Sequence, residues 1–150
     1  MRNAIFAKTI DYKDNKLKIE LEVELEQSFP KTEENILSSL NEAGALSTEF
    51  ALSLNDTDGN PISIEGGGFT TKGPVDKKYQ TPYGEVQISR HVYQNAKGGK
   101  TFCPLDNKYR IIIGSTPKFS KMVSSKYSEF GGKRVQFDLL NNHGRYVSHN

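Results

Sequence analysis

Residues 16–27 read KLKIELEVELEQ, and the alternation along them is strict. Leu17, Ile19, Leu21, Val23 and Leu25 fall on one face, and Lys18, Glu20, Glu22, Glu24 and Glu26 fall on the other. A helix cannot gather residues of period two onto one side. The stretch therefore predicts a strand with one face covered and one in water. Its row of glutamates discourages pairing with another sheet edge and repels phosphates, so this face is no surface for DNA.

The period then changes. In SFPKTEENILSSLNEAGALSTEFALSLND, Ile36, Leu37, Leu40, Ala43, Phe50, Ala51 and Leu54 recur near helical spacing. Pro30 suits a first helical turn, and Glu33 and Glu34 suit the positive end of the helix dipole. The spacing predicts one amphipathic helix over 31–53, although Gly44 costs up to about 1 kcal/mol relative to alanine there. A strand followed by a helix, with further strands and helices downstream, predicts an α+β fold.

NDTDGNPISIEGGGFTTKGP is turn chemistry. Asp56, Asp58 and Asn60 are spaced like the start of a calcium loop. Counted from Asp56, however, the sixth residue is Pro61 and the twelfth is Gly67, where such a loop needs Gly and Glu. An Asx-rich turn is the expected reading, followed by a short strand at PISI. Residues 65–80 then read as a flexible connection.

TPYGEVQISRHVYQNAKGGKTFCPLD alternates Val86, Ile88, Arg90 and Val92 against Glu85, Gln87, Ser89, His91 and Tyr93. With Gly98 and Gly99 able to take positive φ, it predicts a β-hairpin within 81–113 that returns through KTFCPLD and stops at Pro104. Farther on, Ser115 or Thr116 caps a helix with Pro117 in its first turn. Phe119, Met122, Val123, Tyr127 and Phe130 lie on one face of it, and Gly131-Gly132 stops it. A second helix over 133–142 buries Val135, Leu139 and Leu140, and Gly144 caps its end. Ser148 is a fitting N-cap for a third. Two short helices, a glycine turn and the cap of another resemble an incomplete helix-turn-helix. On this reading Phe119, Tyr127 and Leu140 are left partly uncovered.

The chain thus divides into an acidic strand-helix-turn region over 1–64, the connection over 65–80, a basic hairpin over 81–113 and a helical region over 114–150. Charge follows this division. Residues 1–75 hold 7 Lys/Arg against 13 Asp/Glu, a net −6, and residues 76–150 hold 13 against 5, a net +8. A basic half suits a polyanionic partner. The candidate DNA contacts are Arg90, Lys97, Lys100, Lys118, Lys121, Lys126, Lys133, Arg134 and Arg145.

Little else points to chemistry. Cys103, His91, His143 and His149 do not make a zinc ligand set, and Cys103 has neither an activating base nor an oxyanion site in its pattern. Asp106 and Asp138 are the isolated acids of the basic half, and Asp138 reads as a structural charge. No P-loop, dinucleotide fingerprint or nucleophile elbow is present. A single cysteine argues against a disulfide framework, and no apolar run is long enough to span a membrane, so a cytoplasmic protein is expected.

The ordered segments YQTPYGEVQISRHVYQNAKGGKTFCPLD, GSTPKFSKMVSSKYSEF and DLLNNHGRYVS resemble the N-terminal region of bacterial, especially cyanobacterial, insertion-sequence transposases of the Kra type. LNEAGALSTEFALSLNDTDGNPISI resembles the helix and turn that precede the hairpin there. The resemblance runs from about residue 30 to the end. It implies a DNA-recognition region that binds transposon-end double-stranded DNA. It also implies that a nuclease fold with an acidic triad and a divalent metal lies outside this chain, so the chain is a truncated piece with no catalytic residue and no cofactor of its own. Some related transposases carry Cys-x-x-Cys pairs near this region, and this chain has Cys103 alone. The other reading is a small regulatory module that associates with an intact transposase or with itself.

Overall fold

The computed structural model describes residues 6–129 and 131–147. Phe130 and Ser148, both given roles above, lie outside them. The fold is α+β, in the order β1 (Ala7–Lys13), β2 (Lys16–Leu21), α1 (Phe29–Leu54), β3 (Ile62–Ile64), β4 (Gly67–Thr81), β5 (Gly84–Asn95), β6 (Thr101–Phe102), α2 (Pro104–Lys108), α3 (Pro117–Glu129) and α4 (Gly132–His143). β1 and β2 form an antiparallel hairpin, and β3-β4-β5-β6 form an antiparallel sheet in that order. α1 packs against β5 and against β1 and β2.

The alternating stretch that predicted one strand over 16–27 is a strand only to Leu21. Glu22 N–H still donates to Phe6 C=O at 2.7 Å, and then the chain leaves β1 and runs beside α1. Ser39 Oγ donates to Glu22 C=O at 3.2 Å and Asn35 Nδ2 to Glu24 C=O at 3.0 Å. Thr32 Oγ1 accepts from Glu26 N–H at 2.8 Å. These backbone groups need donors and acceptors, so the buried face of α1 includes Thr32 and Ser39, beside Glu42, Ala45 and Leu52, rather than the apolar periodic set. Leu25, Phe29, Ile36 and Leu40 stand exposed. α1 begins at Phe29, two residues earlier than expected, which moves Glu33 and Glu34 out of its first turn.

Gly44 is required by packing. A Cβ built there would lie 2.3 Å from Cγ and 2.8 Å from Cβ of Tyr83, the residue at the β4–β5 turn. The gain in helix propensity from Gly44→Ala, up to about 1 kcal/mol, is therefore outweighed by an overpacking cost of about 1–3 kcal/mol. Urea unfolding should show Gly44→Ala destabilised in the native chain and less so in a Tyr83→Ala background, which removes the ring but keeps the Cβ contact. Equal effects in the two backgrounds would rule out this contact as the cause.

The flexible connection expected over 65–80 is a correction. It is β4, the longest strand, at 15 residues. Four glycines and Pro74 gave the stretch a loop composition, but pairing with β5 from Phe69↔Asn95 to Thr81↔Gly84 overrides that propensity. Pro74 sits beside the register shift between Thr71 and Pro74, where a missing ladder donor is tolerated. The hairpin expected within 81–113 changes accordingly. The long partner of β5 precedes it, while β6 returns for two residues only. Pro104 then starts α2 instead of merely ending a strand.

The main core joins Ala45 and Leu52 of α1 to Tyr79, Val86, Ile88, Leu105 and Ile111. β5 alternates as expected through Val86, Ile88 and Arg90. After the bulge Tyr93, not Val92, is buried. The end of β4 is a hub. Gln80 N–H donates to Gly114 C=O at 2.7 Å and Gln80 C=O accepts from Thr116 N–H at 3.0 Å, which anchors the start of α3. Thr116 C=O accepts the first helical bond of α3, from Ser120 N–H at 2.9 Å. Gly144 ends α4 at φ 63°, as its position predicted. Phe119, expected to be partly uncovered, is 4% exposed, while Tyr127 and Leu140 are each 50% exposed.

Candidate nucleic-acid interface

The nine basic candidates separate into three groups. Arg90 and Arg145 turn inward. Arg90 is 6% exposed, because its place in the β5 alternation puts it on the same face as Val86 and Ile88. Its Nε donates to Tyr79 Oη at 2.7 Å and its Nη1 to Val75 C=O at 3.1 Å, and Tyr79 Oη donates to Asp106 Oδ1 at 2.6 Å. Arg145 is 7% exposed. Its Nε donates to Thr81 C=O at 3.0 Å and its Nη2 to Gln80 Oε1 at 2.6 Å, and its guanidinium lies over the Phe119 ring at 5.5 Å. Both arginines are thus committed to the fold, which corrects the expectation that they contact phosphate.

Lys126 forms the second group. Its ammonium donates to Asp138 Oδ2, joining α3 to α4. Asn142 Nδ2 donates to Asp138 Oδ1 at 2.7 Å, and His143 Nε2 lies 3.8 Å from Oδ2. Lys126, and then Asn142, hold the Asp138 carboxyl below its ordinary range. Asp138 is a structural charge, as its helical position suggested.

Lys97, Lys100, Lys118, Lys121, Lys133 and Arg134 are the third group, and all six are exposed. Lys97 and Lys100 flank the β5–β6 turn. Lys118 and Lys121 share a face of α3. Lys133 and Arg134 stand in the first turn of α4, whose N-cap Gly131 makes no side-chain hydrogen bond. Positive side chains at the positive end of a helix dipole favour an anion there.

Other polar features were not legible as sites. Asp56 in the turn after α1 accepts from His91 N–H at 3.1 Å through Oδ2, which also lies 2.8 Å from His91 Nδ1. The Asx turn expected here forms, with Asn60 N–H donating to Asp58 Oδ1 at 2.9 Å. Tyr93 Oη donates to Asn60 C=O at 2.9 Å, so this turn is fastened to β5. Cys103 is half-buried at the start of α2, and burial pushes its thiol up, away from the thiolate that a nucleophile needs. Among the described residues no group of three or more His, Cys, Asp or Glu could hold a metal ion. Among them no helix is long and apolar enough to cross a membrane.

Burial, and then the hydrogen bond to Asp106, push the Tyr79 phenol well above its ordinary value. A proton held more tightly in the folded chain stabilises the fold fully below the unfolded phenol's pKa of about 10. That contribution falls away as pH rises past it, since the unfolded phenol ionises first. Urea midpoints measured across that range should drop with rising pH, and Tyr79→Phe should flatten the drop. An unchanged slope in the variant would remove Tyr79 as its source.

No protein-family model matches the chain, and no curated protein or solved structure matches it.

Proposed function

We propose that this chain is the DNA-recognition region of a bacterial insertion-sequence transposase, acting in the cytoplasm on transposon-end duplex DNA. The ordered segments quoted above support the family. One structural observation carries the DNA reading. Of the five acids in residues 76–150, Glu85 pairs with Lys78, Asp106 with Tyr79 and Arg90, and Asp138 with Lys126, while Lys97, Lys100, Lys118, Lys121 and Lys133 stand exposed. The fold draws in Asp106 and Asp138, leaves Asp76, Glu85 and Glu129 exposed, and turns more lysines than acids outward, where they meet phosphates without choosing sequence.

Fluorescence anisotropy with a terminal-repeat duplex tests this. Five phosphate contacts give a log–log salt slope of roughly −4.5, or an affinity loss of roughly 500-fold between 50 and 200 mM salt. Lys118→Ala with Lys121→Ala should make the slope shallower by about 2 and weaken all duplexes alike. No binding at low salt would sink the reading. Equal binding to an unrelated duplex would remove end recognition and leave general DNA affinity.

A second reading draws on a different surface. Leu25 (78% exposed), Phe29 (68%) and Leu40 (55%) give the α1 side an apolar area that suits association with an intact transposase or another copy. Sedimentation that shows one monomer at every concentration, with no complex with a full-length transposase, would remove it.

A further inference from the structure

The β4 bulge opens a groove on the sheet face. At the register shift between Thr71 and Pro74, Gly73 takes φ 118°, in the region that favours glycine. Gly73 N–H donates to Thr71 Oγ1 at 3.2 Å, and Thr71 Oγ1 donates to Gly73 C=O at 3.1 Å, so the bulge is fixed in place. Bulges bend a strand and re-aim its side chains. Here the result is a concavity of about 470 Å³ with Val75 and Val92 among its apolar lining and Thr70, Lys72 and Thr101 among its polar lining.

The turn at its end is fastened too. Gly98 N–H donates to Asn95 C=O at 2.9 Å, Lys97 N–H to Asn95 Oδ1 at 2.9 Å, and Gln94 Nε2 to Gly99 C=O at 2.8 Å. Lys97 lies between two lining residues, Ala96 and Gly98, and Lys100 precedes a third, Thr101. Among the described residues no carboxylate lines the groove or pairs with Lys72, Lys97 or Lys100. A Cβ added at Gly73, Gly98 or Gly99 would meet nothing within 4 Å, so the backbone is open to close approach.

We infer that this groove seats one sugar–phosphate strand of duplex DNA, with the valines under the deoxyriboses and Lys72, Lys97 and Lys100 on successive phosphates. The inference rests on the DNA-binding reading above. An acidic peptide would satisfy the lysines as well, and β4 past Phe69 has no β3 partner on its outer edge. The groove, however, lies on the face of the β4–β5 ladder, paired from Phe69↔Asn95 to Thr81↔Gly84, where an added strand finds no edge backbone. A ligand without backbone donors, apolar at its sugars and charged at regular intervals, fits the face of such a ladder.

The test uses the full chain, a terminal-repeat duplex and polyglutamate, over roughly 50 to 200 mM salt. Lys72→Ala/Lys97→Ala/Lys100→Ala should make the DNA salt slope shallower by roughly 2.7 and cut affinity roughly tenfold or more. The melting temperature should stay unchanged, since all three lysines are exposed. Thr70→Glu, which adds a carboxylate to the wall, should weaken DNA binding on its own. If the unaltered protein binds DNA and the triple variant keeps its slope, the groove is overturned and the DNA reading stands. If the unaltered protein does not bind DNA, both fall. If the triple variant loses polyglutamate and DNA equally, the lysines act as general polyanion attractors and the seat for a sugar–phosphate strand is overturned.

Discussion

Asp106→Ala is expected to lower the unfolding free energy by about 3 kcal/mol or more. Asp106 Oδ1 accepts from Tyr79 Oη at 2.6 Å, and Oδ2 lies 3.9 Å from Arg90 Nη2. The Tyr79 side chain is 0% exposed and that of Arg90 7%. Removing the carboxylate leaves a guanidinium out of water with no countercharge. The Tyr79 hydroxyl also loses the acceptor for its proton. Breaking a buried pair from one side costs more than the pair contributes, because the remaining charge keeps its desolvation penalty. Asp106 is 22% exposed at its side chain, which admits some water and places the loss toward the lower end of the 3–5 kcal/mol range typical of such breaks.

Two further variants separate charge from hydrogen bonding. Asp106→Asn keeps an acceptor for Tyr79 Oη and loses the charge opposite Arg90, so it should cost less than Asp106→Ala. Tyr79→Phe should cost about 1–3 kcal/mol through the unsatisfied partners it leaves. Urea denaturation of the three variants checks the order. A loss below about 1 kcal/mol for Asp106→Ala, the range of an exposed ion pair, would mean that water reaches Arg90 freely and that the network does not hold α2 to the sheet.

Local pattern was readable where neighbours in sequence decide the structure. Helical spacing placed α1 within two residues at each end, and Gly144 marked the end of α4 because only its own φ is at stake. Residues 65–80 read as a loop because their glycines and Pro74 outweigh Phe69, Thr70, Thr71, Val75 and Tyr79, the types within them that favour a strand. Their extended form is decided by β5, whose paired residues lie from 5 (Gln80↔Glu85) to 26 (Phe69↔Asn95) positions away. The helix-period residues Ile36 and Leu40 failed as core markers for a similar reason. The surface under the N-terminal half of α1 includes the backbone of 22–26, and it calls for Ser39, Asn35 and Thr32.

The candidate interface was legible as a charge balance and not as a set of contacts. Lysine side chains fall outside the core almost by default, so Lys97, Lys100, Lys118, Lys121 and Lys133 were found by type alone. Arginines need more. Arg90 carried a signal, since it shares a period with Val86 and Ile88, and an inward arginine demands an internal acceptor such as Tyr79. Arg145 carried none, because its partners lie 64 and 65 residues earlier.

Arg145→Ala is therefore a test of fold rather than of DNA contact, and it is expected to cost about 2–4 kcal/mol. The charged hydrogen bonds to Thr81 C=O and Gln80 Oε1 contribute about 1.5–3 kcal/mol by the usual measure of bonds to an ionised group. The guanidinium over Phe119 adds up to about 2 kcal/mol when desolvated. These contributions overlap, since one side chain makes them all. The loss should spread through a defined route. Thr81 forms the β4–β5 turn, with its Oγ1 donating to Gly84 C=O at 2.7 Å, and Gln80 holds residues 114–116 at the start of α3. Without Arg145, the end of α4 is released from that turn and Phe119 loses its cover. Hydrogen exchange should quicken across α3 and α4 before it does in β5. Arg145→Lys should recover little, because an ammonium cannot span both acceptors while lying flat on a ring. If Arg145→Ala instead leaves the urea midpoint unchanged and weakens DNA binding with a shallower salt slope, the guanidinium faces phosphate in solution and the buried arrangement is wrong.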